Sequence, residues 1–236
     1  MSNLSQDQLQ QLNSYSNYID DEQKKIFNLA QLFDVERLDD TKNILKAISQ
    51  NNNDAVALSY FTRRYGMFIA MQFYMLTVYD ELWDGPFDAL EFGVREEYGR
   101  PSLCMFTRSE HWTMIDEEDR QETVAGILKT QCDDVFQQLR KMGTVSPLTH
   151  WENVFGYLLW HYHTLLSNPA TEEEAIEYVK FLEDDKTWTD FSTFSRFHKY
   201  TGGNHPSTLI HIPVRKSCCF SKDVPGLMAC GFCPLI

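Results

Sequence analysis

Basic residues are scarce in this chain. Lys and Arg together number 21 against 34 Asp and Glu, a formal net charge of −13 over 236 residues. Such a balance repels phosphate backbones and anionic lipid, so nucleic acid is not expected as a partner and neither is membrane insertion. Long apolar runs are missing too. The longest, residues 67–79, is broken by Gln72 and falls short of what a bilayer requires. The first 15 residues are polar, with neither a basic n-region nor an apolar h-region, so no secretory leader is expected. A cytoplasmic location with reduced thiols follows as an expectation. No G-x-G-x-x-G follows a strand-like run, so NAD(P)H or flavin chemistry is assigned to a separate protein. Internal repeats and low-complexity tracts are absent.

What the chain does have is apolar and aromatic mass. It is 43% apolar and 14% aromatic, enough to fill a core without disulfides. The spacing predicts a helix over 20–33, a second capped by Asp39, and a third capped by Asp54 and running to about Leu82. The second half of the third is apolar nearly all round, which marks a buried helix. Asp84-Gly85-Pro86 is its stop. Residues 90–94 and 102–107 read as strands joined by a turn at 98–101. Asp116 heads a helix reaching Met142 and closed by Gly143. Ser146-Pro147 starts another, carrying Trp151, Val154, Phe155, Leu158, Leu159 and Tyr162 on one stripe. Thr171 to Glu174 reads as a capping box for a further helix to about Asp185, and 208–214 as a strand. The expected fold is mainly α, of α+β class. A helical body at 1–207 carries a small central β-hairpin near 89–107, and a cysteine-rich segment occupies 208–236.

Six cysteines are present, and four of them fall in the last nineteen residues: Cys218, Cys219, Cys230 and Cys233. Clustered thiols in a reducing compartment are metal ligands or redox catalysts more often than disulfides. Four thiolates are the ligand count of a [2Fe–2S] or [4Fe–4S] cluster and also of structural zinc. Structural zinc usually takes cysteines two to four residues apart, whereas neighbouring residues point their side chains apart. Two bridged irons offer more separated positions, so Cys218-Cys219 suits a two-iron core better than one tetrahedral ion. Pro225-Gly226 can turn the connection back and bring the two cysteine pairs together. Arg215, Lys216 and Lys222 favour thiolate over thiol. Spacing alone leaves cluster, zinc and redox thiols open.

The tail Arg215-Lys216-Ser217-Cys218-Cys219 … Val224-Pro225-Gly226 … Cys230-Gly231-Phe232-Cys233-Pro234 resembles the C-terminal signature of the FhuF-like ferric-siderophore reductases. That signature is Cys-Cys-x10-Cys-x2-Cys, reproduced here without a gap. A long apolar helix after Arg63-Arg64-Tyr65 and a Trp-rich helix around 151–160 agree more loosely. The resemblance implies a [2Fe–2S] cluster on Cys218, Cys219, Cys230 and Cys233. It also implies a cytosolic oxidoreductase that passes one electron to a ferric siderophore. Fe(II) is then released for iron assimilation, because hard oxygen donors hold it far more weakly than Fe(III). The electron would come from a separate donor: a ferredoxin, a flavoprotein or an NAD(P)H-dependent reductase. The alternatives are a [2Fe–2S] electron-transfer protein serving another acceptor and a zinc-stapled binding module.

No catalytic residue beyond the cluster is called for. An anionic cluster and a chelate that is neutral or anionic need positive charge between them. Arg215 and Lys216 are the first candidates for substrate contact, with Arg63, Arg64 and Arg95 behind them. His161 and His163 sit two apart on a helix and point to different faces, so they do not form a metal pair. His205 and His211 precede the cysteines, but four thiols already complete a ligand set. Cys104, Cys132 and the Met67-Met71-Met75 series read as core. The acidic runs 116–119 and 172–174 read as helix starts.

Overall fold

The computed structural model describes residues 4–97, 99–210 and 212–235. In chain order its elements are α1 (Gln6–Ser14), β1 (Asn17–Ile19), β2 (Lys25–Asn28), α2 (Leu38–Ser49), α3 (Asp54–Tyr79), β3 (Glu81–Trp83), β4 (Glu91–Glu97), β5 (Arg100–Thr107) and β6 (Trp112–Met114). Then follow α4 (Arg120–Gly126), a π-helical stretch (Ile127–Asp134), α5 (Val135–Met142), α6 (Pro147–Leu166), α7 (Glu172–Glu183) and α8 (Arg196–Thr201). The fold is mainly helical with a small mixed sheet, as the sequence predicts.

The centre is α3 crossing α6. α3 is buried along nearly its whole length, with Phe61, Tyr65, Phe68, Met71 and Met75 fully enclosed. A helix wet on no side needs partners on every side, and here they are α2, α6 and the sheet. The crossing is close at Gly66, where a Cβ would stand 3.1 Å from the Asn153 carbonyl. β4 and β5 form the predicted hairpin, although Tyr98 in its turn lies outside the described residues. β1 adds to β5 in parallel and β2 to β4 antiparallel, giving the order β1-β5-β4-β2. β3 and β6 pair separately.

Several expectations are corrected. Residues 20–33 are not a helix: they form β2 and a 3-10 turn at Leu29–Leu32. Phe27 pairs with Phe92 on β4, their rings stacked at 4.7 Å, so cross-strand packing overrides local helical spacing. α3 stops at Tyr79 because Asp80 turns left-handed, and the next three residues become β3. Its cap is Asn53 rather than Asp54. Thr171 caps nothing; its hydroxyl donates instead to the Leu165 carbonyl at 2.8 Å. No strand occurs over 208–214 among the described residues. Leu209 and Ile210 are buried in the hydrophobic core instead of pairing with a strand. α1, capped reciprocally by Ser5 and Gln8, has no counterpart in the sequence reading, because its apolar stripe consists of little more than Leu12.

Two buried imidazoles make the fold sensitive to acid. His161 lies against Tyr15 and Tyr74, while His163 turns to Trp160, so the pair parts as expected. Burial lowers both His161 and His150 to about 4, with Arg140 adding to the effect on His150. The unfolded chain takes up protons on these rings below about 6.5, and the folded chain resists until near 4. Stability is therefore full above pH 6.5 and is lost as pH falls toward 4, by roughly 2–3 kcal/mol per ring. Denaturant titrations at pH 7, 5 and 4 read this slope. His161→Leu should flatten it by about half, since the Nε2 of His161 has no hydrogen-bond partner among the described residues to lose. An unchanged slope would assign the acid sensitivity elsewhere.

Candidate metal and thiol centre

The cysteine segment lies along the α3–α6 crossing and shares the core, with Val224 and Phe232 buried in it. Its polar anchor is Glu152 on α6, which is 1% exposed. The carboxylate accepts the backbone N–H of Lys216 at 2.8 Å, the N–H of Ser217 at 3.0 Å and the Ser217 hydroxyl. The Arg215 guanidinium donates to the Glu152 carbonyl at 2.9 Å and sits 3.8 Å from the carboxylate. A second anchor comes from α3. Ser59 donates to the Cys219 carbonyl at 2.8 Å, and Asn153 on α6 bonds both Ser59 and Thr62. A third is apolar, with Phe232 resting on Gly156 and facing Trp160.

Between these anchors the chain turns as the sequence predicts. The Leu227 N–H bonds the Val224 carbonyl across Pro225-Gly226, and Gly226 takes φ +77°, a conformation that favours glycine. The turn brings the Cys219 and Cys230 sulfurs within hydrogen-bonding reach of each other. The Cys230 thiol lowers the Cys219 pKa well below the ordinary thiol value against the opposing effect of burial, and Arg63 and Arg215 lower it further. Cys230 is raised in turn, by that same bond and by burial. Cys218 accepts the Phe220 N–H at 3.3 Å, and Cys233 donates its N–H to the Cys230 carbonyl at 3.1 Å. Cys219 and Cys233 are buried; Cys218 and Cys230 are half-buried.

A cleft of about 110 Å³ opens on Cys230, lined among others by Arg63, Tyr157, Trp160 and Arg215. The predicted cations therefore divide. Arg63 and Arg215 lie with the thiols, but Arg215 is 5% exposed and tied to Glu152. Lys216 is exposed. Arg64 on α3 pairs with Glu97 of β4 at 2.6 Å, and Arg95 of β4 with Asp21 in the β1–β2 connection at 2.8 Å. His205 is exposed, and His211 lies outside the described residues. Cys104 and Cys132 are buried, and their thiols are pushed up by burial, Cys104 to about 12.

The donor set fits an iron–sulfur group in its chemistry: four thiols on one segment, a lowered thiol at Cys219 and two guanidiniums nearby. Among the described residues, however, no group of three or more His, Cys, Asp and Glu side chains is disposed to hold a metal ion. The assembled part is the Cys219–Cys230 pair. No helix of the described residues is long and apolar enough to cross a membrane. Compared with protein-family models, curated proteins and solved structures, the chain matches none. The resemblance of the tail thus rests on the residues of the tail itself.

Proposed function

We propose that this chain is a [2Fe–2S] reductase of ferric chelates, with Cys218, Cys219, Cys230 and Cys233 holding the cluster. The observation that supports this most is the Cys219–Cys230 contact beside Arg63 and Arg215, in a segment pinned to two helices. The bound group supplies a single electron, which turns Fe(III) in the chelate to Fe(II), and a separate donor protein replaces it. The remaining chemistry belongs to the chain. Arg63 and Arg215 offset the negative charge of the ligand thiolates. Glu152, Ser59 and Phe232 would keep the segment on α3 and α6 while Cys218 and Cys233 close around the cluster. The half-buried sites of Cys230 and Cys218 give an approaching chelate a short path.

Anaerobic purification tests the reading. The expected result is a coloured protein with iron and acid-labile sulfide in equal amounts, an EPR signal on reduction, and reoxidation by ferric hydroxamate, citrate or catecholate. A colourless protein carrying stoichiometric zinc would overturn it. A coloured protein that no ferric chelate reoxidises would instead be an electron carrier for another acceptor.

One observation favours a second reading. The contact between two thiols of opposite pKa shift is also the layout of a redox dithiol, with Cys219 attacking and Cys230 resolving. On that reading, titration with an oxidant forms a Cys219–Cys230 disulfide and leaves Cys218 and Cys233 free.

A further inference from the structure

Three cations converge where this acidic chain has few to spare. A pocket of about 300 Å³ between α6 and α8 is lined by Trp151, Phe155, Phe194, Arg196, Lys199 and Lys216, with Leu148, Glu152 and Tyr200 completing it. Its one acid, Glu152, is already engaged with Arg215 and the backbone of Lys216 and Ser217. Asp133, within electrostatic reach of Arg196, stands outside the lining. The cations lie over the rings of the walls, Arg196 5.3 Å from Trp151 and Lys199 4.7 Å from Phe194. Two of the lining residues carry an enclosed donor with no partner among the described residues: the Nε of Arg196 and the hydroxyl of Tyr200, a residue only 9% exposed. A buried donor without an acceptor is costly unless something else supplies one. Tyr200 also lies within electrostatic reach of Arg215, Glu152 and Cys230, and Glu152, which anchors the cysteine segment, lines the pocket, so the two sites are neighbours.

We infer that this pocket binds an anionic aromatic ligand of the dihydroxybenzoate type. Its ring would lie among Trp151, Phe155 and Phe194, its negative group at Arg196, Lys199 and Lys216, and a ring hydroxyl at Tyr200. Aromatic walls with a few converging polar groups are the usual make-up of a small-molecule site, and the volume holds one substituted ring. The assignment of this ring as one arm of a ferric aryl chelate rests on the reductase reading; the binding itself does not.

The test is calorimetric titration of 2,3-dihydroxybenzoate, benzoate and benzyl alcohol into the full chain and into Cys230→Ser. The expected order is dihydroxybenzoate above benzoate above benzyl alcohol, the same in both proteins, weakening with added salt. Arg196→Gln and the surface change Lys199→Gln should each weaken both acids about tenfold. Tyr200→Phe should weaken dihydroxybenzoate severalfold and leave benzoate unchanged. Equal binding of benzyl alcohol, or acid binding that ignores both cation changes, overturns the site. Circular dichroism of each variant separates lost binding from lost fold. Intact binding in a protein without iron supports the site while sinking the reductase reading. Iron-loaded protein that reduces chelates but ignores the three probes does the reverse.

Discussion

Glu152→Ala should be the most damaging single substitution outside the hydrophobic core. It removes the acceptor of two backbone N–H groups and a hydroxyl and leaves the Arg215 guanidinium buried without its counter-charge. Breaking a buried pair from one side typically costs about 3–5 kcal/mol, because the surviving charge stays desolvated. That is a large part of a marginal stability of about 5–15 kcal/mol. The loss should be uneven. Glu152 sits on α6 but its bonds go to residues 215–217, so the tail should loosen before the helical body melts. Limited proteolysis should therefore cut near Arg215 and Lys216 in the variant while the wild-type tail resists, and denaturant melts should report the global loss. Glu152→Gln keeps one acceptor oxygen and should fall between the two. A Glu152→Ala protein with a protected tail would mean that Ser59, Asn153 and Phe232 suffice.

Glu152 also shows where sequence reading stops. In the sequence it is one of 34 acids, next to Trp151 on a stripe that reads as plain packing. Nothing local marks it as the partner of a stretch more than sixty residues away. Ser59 and Asn153 are equally silent. They are recognisable only once α3 and α6 cross, and the crossing follows from long-range burial. The features set by neighbours along the chain were legible: the β4–β5 hairpin, the Ser146-Pro147 start of α6, the Pro225-Gly226 turn, and the burial of Cys104 and Cys132. Those set by partners across the molecule were not. β2 reads as helix in the sequence because Ile26, Leu29, Ala30, Leu32 and Phe33 fall near helical spacing. Arg64 and Arg95 were placed near the substrate because a sequence shows charge without showing its partners, here Glu97 and Asp21. The pocket between α6 and α8 was invisible for the same reason. Arg196 and Lys199 are near each other in sequence, but Trp151 and Lys216 join them only in the fold.

The cysteines are separated by single serine substitutions, and the discriminating positions are not the two in contact. Cys219→Ser and Cys230→Ser disable a cluster and a dithiol alike. Cys218→Ser and Cys233→Ser do not. If four thiolates hold two irons, each of these two changes should lower bound iron and sulfide by tenfold or more and abolish the EPR signal, since each removes one of the ligands the cluster needs. If Cys219 and Cys230 act alone, oxidation by a disulfide reagent should proceed at the wild-type rate in both. The fold supplies the control. The segment is held by Glu152, Ser59 and Phe232, none of which bonds through a cysteine side chain. Melting should therefore change little in the metal-free state, and lost iron would reflect lost ligation rather than a lost tail. A zinc staple predicts a third pattern. There, metal-binding energy is folding energy, so any of the four serines should expose residues 215–233 to protease. The structure already provides three metal-free attachments for the tail, so on physical grounds a protease-resistant tail in all four serine variants is the expected result.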